Sequence, residues 1–122
     1  MGYYTHYTLE VKNVKTNIDY QRLIEVMTDC TKYNHNQIFN YALIDEGYYT
    51  GDKVYFDCFG ECKWYDSQSD MESVSSFLPE MTFKLSGEGE ESGDFWYCLF
   101  KNGKSDYCAG HIVYDEPQQI EW

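Results

Sequence analysis

The sequence predicts an α+β domain built on an antiparallel β-sheet. Two observations lead to this prediction. Apolar and polar residues alternate in several short segments, as in half-buried strands, and two longer segments carry apolar residues at helical spacing. In chain order the elements read β-α-β-β-α-β-β-β, and the first six form a ferredoxin-like sheet with two helices on one face. The last two strands add a C-terminal β-hairpin, and with 122 residues the chain is expected to form a single domain, 1-122.

The first strand and the first helix have the clearest patterns. In YYTHYTLEVK, residues 3–12, the odd-numbered positions are Tyr, Thr, Tyr, Leu and Val, which is the period of a half-buried strand. Asn17 has the character of a helix N-cap, and apolar side chains follow it at helical spacing. Those side chains are Tyr20, Leu23, Ile24, Met27 and Cys30. We therefore expect an amphipathic helix of about three to four turns.

A β-hairpin is predicted next. QIFNYALID (37–45) and KVYFDCFG (53–60) both have the composition of strands. The segment EGYYTGD between them is rich in turn residues. The two strands should therefore pair with each other.

The second helix is predicted from a capping signal and an apolar stripe. Ser69 and Glu72 have the spacing of a capping box, so the helix should start near Ser67 or Ser69, and Pro79 ends it. The stripe between them consists of Met71, Val74, Phe77 and Leu78. This pattern favours a short amphipathic helix that packs on the sheet.

Three more strands complete the prediction. MTFKLS (81–86) alternates, FWYCLF (95–100) is almost continuously apolar, and DYCAGHIVY (106–114) closes the pattern. The dipeptide Asn102-Gly103 is the strongest short signal for a hairpin turn. The thirteen Tyr, seven Phe and three Trp side chains fit either a β-rich core or a tyrosine-lined interface, and some of them should lie on the free face of the sheet. Either these aromatics shield one another from water, or they receive a partner or a second subunit, so a homodimer is one option.

Charge is distributed unevenly along the chain. Residues 1–44 carry four acidic and four basic side chains, whereas residues 45–122 carry seventeen acidic and five basic ones, so the net charge of −12 lies in the second part. Such a field repels nucleic acid and anionic lipid and attracts basic proteins. We therefore expect no direct binding to nucleic acid, and an acidic face for a basic partner.

Neither a cofactor nor a metal site is expected. The five cysteines, which include Cys58 and Cys62, contain no CxxC pair, and buried free thiols are the usual state in a reducing compartment. No segment has the length and hydropathy of a membrane span, and the start of the chain lacks the pattern of a signal peptide. These features predict a cytoplasmic protein without disulfides or zinc.

The octapeptide GEGEESGD, Gly87–Asp94, carries four carboxylates and three glycines. Its acids would repel a phosphate, its spacing does not fit a calcium loop, and flexible neighbouring carboxylates lack the apolar pocket that catalysis needs to separate their pKa values. The chain also has no nucleophile motif, so an enzyme is not expected.

Two main interpretations of the octapeptide remain open, besides weak binding of a divalent cation. One is a solvated connection whose glycines adopt positive φ. The other is a recognition surface, because alternate carboxylates of an extended chain lie roughly 6.5 to 7 Å apart, close to the phosphate spacing of a nucleic acid strand. The candidate partner-binding residues are Glu88, Glu90, Glu91 and Asp94, extended by Asp66, Asp70 and Glu72 near the start of the second helix.

Three segments resemble a set of small acidic proteins encoded by bacteriophages and prophages. They are CKWYDSQSDM (62–71), FKLSGEGEESGDFW (83–96) and FKNGK (100–104), and the opening GYYTHYTLEV is similar too. The resemblance covers about half of the chain. It implies a small accessory protein of a mobile element, acting in the host cytoplasm, and assigns no activity to any residue.

Two classes of function follow from these features. The first is an inhibitor whose acidic face imitates nucleic acid and occupies a basic nucleic-acid-binding host protein, for example in an anti-CRISPR-like role. The second is a ferredoxin-like module that binds a nucleotide or another ligand, or a small enzyme. A broad negative face supports the first class, whereas a concave pocket with convergent polar groups supports the second.

Overall fold

The computed structural model describes residues 5–36, 48–50, 53–56, 61–62, 66–89, 95–110 and 119–120. The strands in these residues are β1 (Thr5–Lys12), β2 (Tyr48–Thr50), β3 (Lys53–Phe56), β4 (Glu61–Cys62), β5 (Thr82–Gly89), β6 (Phe95–Lys101) and β7 (Lys104–Ala109). The helices are α1 (Asn17–Thr28) and α2 (Ser67–Ser76). Neither helix is long and apolar enough to cross a membrane.

The strands form one open antiparallel sheet in the order β2-β3-β1-β5-β6-β7. Strand β1 pairs with β5 along its whole length, from Thr5↔Gly89 to Lys12↔Thr82. On its other edge β1 pairs with β3 and β4. The predicted α+β class with an antiparallel sheet is therefore confirmed.

One face of the sheet forms the hydrophobic core. Strand register aligns Leu9 with Leu85, and Phe83 with both Val11 and Phe100, and all of these side chains are buried. The alternation that predicted β1 and β5 thus reflects burial on a single face. Buried side chains of both helices belong to the same core cluster, namely Leu23, Val26, Met27, Met71 and Val74.

Both helix starts were predicted within two residues, but the capping groups differ from the prediction. The N-cap of α1 is Thr16, whose hydroxyl accepts a hydrogen bond from the Asp19 amide at 3.1 Å. In α2 the predicted capping box is wrong, because the helix already begins at Ser67 and the Ser69 hydroxyl donates to the Asp66 carbonyl oxygen.

The β2–β3 hairpin also differs from the prediction. Tyr48–Thr50, which lie in the predicted turn, form strand β2 and pair with Lys53–Tyr55. Aromatic and β-branched residues favour this extended pairing over a turn. The predicted strand over 37–45 lies outside the described residues, as do residues 57–60 at the end of the predicted strand that contains β3.

The predicted β6–β7 hairpin is confirmed. Asn102 and Gly103 have φ values of 50° and 79°, as a two-residue turn between antiparallel strands requires. The Gly103 amide donates to the buried Ser75 hydroxyl at 3.0 Å, which ties the turn to α2. The last part of the third predicted strand, 111–114, lies outside the described residues.

Gly87 is a packing position and not a turn. Strand β5 continues through Gly87 to Gly89, and neither residue is among the described residues with positive φ. A Cβ atom at Gly87 would collide with the Trp96 ring and lie 2.7 Å from its Nε1. The expectation that glycines of the octapeptide adopt positive φ is therefore wrong for these two residues.

Candidate interaction surface

The second face of the sheet, here named the open face, carries side chains that are exposed or half-buried. Register and alternation assign each member to this face. Its described members are His6, Thr8, Glu10, Lys12, Lys53, Tyr55, Thr82, Lys84, Ser86, Glu88, Phe95, Tyr97, Leu99, Lys101, Lys104, Asp106 and Cys108. In the part of the chain that the structure describes, none of them is buried.

Glu88 lies on the open face near one end of the sheet. It is exposed, and its register neighbours are His6 on β1 and Phe95 on β6. A groove of about 380 Å³ runs beside it, and Ser86 and Tyr97 contribute to its lining. Glu88 is therefore available to a partner at this end, which is named the acidic end.

The other predicted acids of the octapeptide are Glu90, Glu91 and Asp94, and they lie outside the described residues. They belong to the connection between Gly89 at the end of β5 and Phe95 at the start of β6. Both of these residues lie at the acidic end, since Glu88 pairs with Phe95.

The three predicted acids near α2 have internal contacts. Asp70 is only 4% exposed, and its carboxylate accepts hydrogen bonds from the backbone and side-chain amides of Asn36 at 3.0 and 3.1 Å. Asp66 is exposed and accepts from the same side chain at 3.2 Å. Glu72 is half-buried and accepts from the Ser105 hydroxyl at 2.6 Å. Asp70 thus holds the segment after α1 against α2. The side chains of Asp66 and Glu72 are still partly accessible to solvent.

The opposite end of the open face carries a row of lysines, which we name the lysine row. Register places Lys12 opposite Lys53, and Lys101 opposite Lys104, with Thr82 between the two pairs. The Lys53 ammonium group lies 3.3 Å from the Glu10 carboxylate, and the Lys101 ammonium group donates to the Thr82 hydroxyl at 3.4 Å. Sequence reasoning missed this row because Lys12, Lys53 and the pair Lys101 and Lys104 are far apart from one another along the chain.

Exposed aromatic side chains also lie on the open face, Tyr55 and Tyr97 between its two ends and Phe95 at the acidic end. Tyr55, Phe95 and Tyr97 are 44%, 40% and 37% exposed. The Lys84 ammonium group sits 4.8 Å from the centre of the Tyr97 ring, which is within range of a cation–π interaction. The hydrogen bond to the Cys108 thiol raises the pKa of Tyr97 above its ordinary value.

Thiol and metal chemistry have little support in the described residues. Cys30, Cys98 and Cys108 are free thiols, and burial raises the pKa of Cys98, which makes it a poor nucleophile. No group of three His, Cys, Asp or Glu side chains in the described ranges is placed to hold a metal ion. Cys58 and the side chain of Cys62 lie outside the description, so the absence of zinc and disulfides stays a prediction.

Comparison with known proteins gives no relative for this chain: no family model, no curated protein and no solved structure matches it.

Proposed function

We propose that this chain is a phage-type accessory protein that inhibits a host defence or DNA-processing protein by imitating nucleic acid. In this proposal it acts in the host cytoplasm, without catalysis or a cofactor, and its target is a basic nucleic-acid-binding protein. An anti-CRISPR-like role is one example. The resemblance to small acidic phage proteins is consistent with this context.

The scaffold that we propose is ferredoxin-like, with both helices on one face of the sheet. The strand order supports it, because β1 is flanked by β3 and β5 while β2 lies outside β3. The shared core supports it as well, since buried residues of α1 and α2 join those of a single sheet face. The opposite face is then left for a partner.

The observation that carries the functional proposal is the separation of charge between the two ends of the open face. Glu88 is exposed at one end, and Glu90, Glu91 and Asp94 are covalently tied to that end between Gly89 and Phe95. A connection of five residues reaches at most roughly 10 Å beyond the strand ends that it joins. Four carboxylates therefore belong to one small region, and the lysine row lies at the far end of the face.

This region has the properties of a surface for a basic partner. Carboxylates that are close together repel one another, and a basic protein surface relieves that repulsion. Phe95 and Tyr97 beside Glu88 supply aromatic area of the kind that anchors protein interfaces. Opposite charges would speed the encounter and make it sensitive to salt.

The second candidate is a ligand-binding module, and one observation favours it. The groove beside Glu88 has a volume of about 380 Å³, which is large enough for a small ligand, and Lys84 and Tyr97 line it. A nucleotide would, however, meet the Glu88 carboxylate in the same groove. Inhibition of a basic protein is therefore the better proposal.

The test begins with affinity capture from bacterial lysate, release by a salt gradient and identification by mass spectrometry. A captured protein supports the proposal only if it is basic, binds nucleic acid and loses that activity when the chain is added. We expect the complex to weaken about tenfold or more as salt rises through the screening range. DNA should compete with the chain for the target.

A matched pair of variants then locates the contact. The test variant Glu88→Gln/Glu90→Gln/Glu91→Gln/Asp94→Asn should lose binding while it stays folded. The control variant Asp19→Asn/Glu25→Gln/Asp29→Asn/Glu80→Gln removes the same number of charges around α1 and should bind as wild type does. Full inhibition by the test variant would refute the mimicry. A target for which DNA does not compete with the chain would refute it as well.

A further inference from the structure

The lysine row has an electrostatic cost within one chain. Like charges directly opposite each other on neighbouring strands destabilise a sheet, and the row contains two such pairs, Lys12 with Lys53 and Lys101 with Lys104. Among the described residues, the one ion pair made by these four lysines is that of Lys53 with Glu10. An anionic group placed over the row would remove the remaining repulsion.

The acidic end of the same molecule cannot supply that group. Thr82 in the lysine row and Glu88 at the acidic end lie six residues apart on β5, which corresponds to about 20 Å along an extended strand. This is more than twice the screening length of about 8 Å at physiological ionic strength. The open face therefore has a positive end and a negative end that do not neutralise each other.

We propose that the open face is the interface of a homodimer, in which the acidic end of each copy covers the lysine row of the other. This inference goes beyond the proposed function and does not depend on it. The evidence is self-complementarity, because the same face presents both charges and exposed aromatic rings between them. Symmetric dimers use one such surface on both subunits.

Charge selects between the two ways of stacking two such faces. A two-fold axis parallel to the strands would place lysine row on lysine row, which is repulsive. A two-fold axis in the plane of the sheet and perpendicular to the strands reverses the strand direction and pairs opposite ends. The second arrangement is therefore the one that we propose.

Register then specifies the contacts. In this arrangement Glu88 of one copy lies over Thr82 of the other, flanked by Lys12 and Lys101 on the neighbouring strands. On β6, Leu99 lies over Tyr97 of the second copy, so that apolar and aromatic surface meets at the centre. Packed sheets are about 10 Å apart, a distance that these side chains can span.

The size of the face suits a dimer of moderate affinity. Strands β3, β1, β5, β6 and β7 have up to eight residues, and spacings of about 4.8 Å between strands give a face of about 20 by 25 Å. Two such faces bury roughly 1,000 Å², which is at the lower end for a specific interface. The dimer covers Glu88, Phe95 and Tyr97, so a basic partner that uses these residues competes with dimerisation.

Sedimentation velocity across about 1 to 200 µM tests the dimer, since interfaces below about 1,200 Å² are mostly weak ones. We expect a species of two 14.5 kDa chains. Lys101→Glu and Glu88→Lys should each raise the dissociation constant about tenfold or more, and the double variant should restore it to within a few-fold of wild type. Lys32→Glu, at an exposed site outside the sheet, is the control and should leave dimerisation unchanged.

A second measurement uses the wild-type chain, so its result does not depend on whether a variant folds. Wild-type chains in light and heavy isotope forms are mixed and treated with a carbodiimide, which joins a carboxylate to an amine at contact distance. A mixed light–heavy cross-link between Glu88 and Lys101 or Lys12 is expected, because those groups are too far apart within one chain. A wild-type monomer throughout the range, a dimer that both swaps leave intact, or lost dimerisation without rescue would overturn the proposal. Single-stranded oligonucleotide bound to the row of a monomeric protein would also overturn it.

Discussion

Gly87→Ala tests most directly whether the octapeptide begins as a packed part of strand β5 or as a solvated turn. Gly87 is buried two residues before the end of β5, beneath the half-buried indole of Trp96. Trp96 is held in place by Tyr7, whose ring lies edge-on to it at 6.0 Å, and by Tyr107 at 5.7 Å. A methyl group at Gly87 must therefore displace an indole that is already packed on other sides.

The magnitude follows from two opposing effects. Replacing glycine by alanine in a strand normally stabilises the fold by about 0.5–1 kcal/mol, because the unfolded chain loses conformational freedom. Overpacking in a filled site costs about 1–3 kcal/mol, and here the added atom would overlap the ring itself. We expect overpacking to dominate, with a net loss of about 1–2 kcal/mol and a Tm that falls by roughly 4–8 °C.

Thermal and urea unfolding of four variants, namely Gly87→Ala, Trp96→Leu, their double variant and Ser86→Ala, provide the assay. Ser86→Ala, the neighbouring residue on the open face, is the control and should change the unfolding free energy by less than about 0.5 kcal/mol. Gly87→Ala combined with Trp96→Leu should be less destabilised than the sum of the two single changes, because the smaller side chain leaves room for the methyl group. A Gly87→Ala protein as stable as wild type would refute the packing explanation and favour a solvated turn.

Two further predictions concern buried polar groups. Asn36→Ala removes hydrogen bonds that Asp66 and Asp70 accept, and should lower the unfolding free energy by about 1–3 kcal/mol. Asn36→Asp should lower the unfolding free energy further at pH 7, because it adds a third carboxylate. Equal urea midpoints for Asn36→Ala and wild type would contradict this prediction. Burial raises the pKa of the Cys98 thiol in the folded state, so the stability that it contributes should be complete below the unfolded value of about 8.5 and decline as pH rises through the folded value. The difference in unfolding free energy between wild type and Cys98→Ala should therefore shrink between pH 8 and pH 10, and a constant difference would contradict the assignment.

Local patterns were sufficient for the class of fold and for most elements. Period-two alternation identified β1 and β5, helical spacing identified α1, and Asn102-Gly103 identified the last hairpin, because each of these signals acts over a few residues. Local patterns were not sufficient where a contact distant in sequence competes. Glu72 has the spacing of a capping residue, yet its carboxylate accepts a hydrogen bond from Ser105, thirty-three residues away.

The candidate surface shows the same division. Composition alone indicated an acidic second part of the chain and an excess of aromatic residues. The octapeptide pattern pointed to Glu88 as a partner-binding residue, and its side chain is exposed. Sequence reasoning could not separate the buried Asp70 from its exposed neighbour Asp66, since burial depends on what packs against the helix.

Only the tertiary structure revealed the lysine row. Lys12, Lys53, Lys101 and Lys104 look like scattered surface charges in the sequence, and a shift of one residue in any strand pairing would move a lysine to the other face. Register between strands that are distant in sequence is set by the burial of Leu9, Phe83 and their neighbours in the core. The sequence by itself therefore determined most of the elements and the net charge. The packing of the core, through strand register, decided that the open face has a positive end and a negative end.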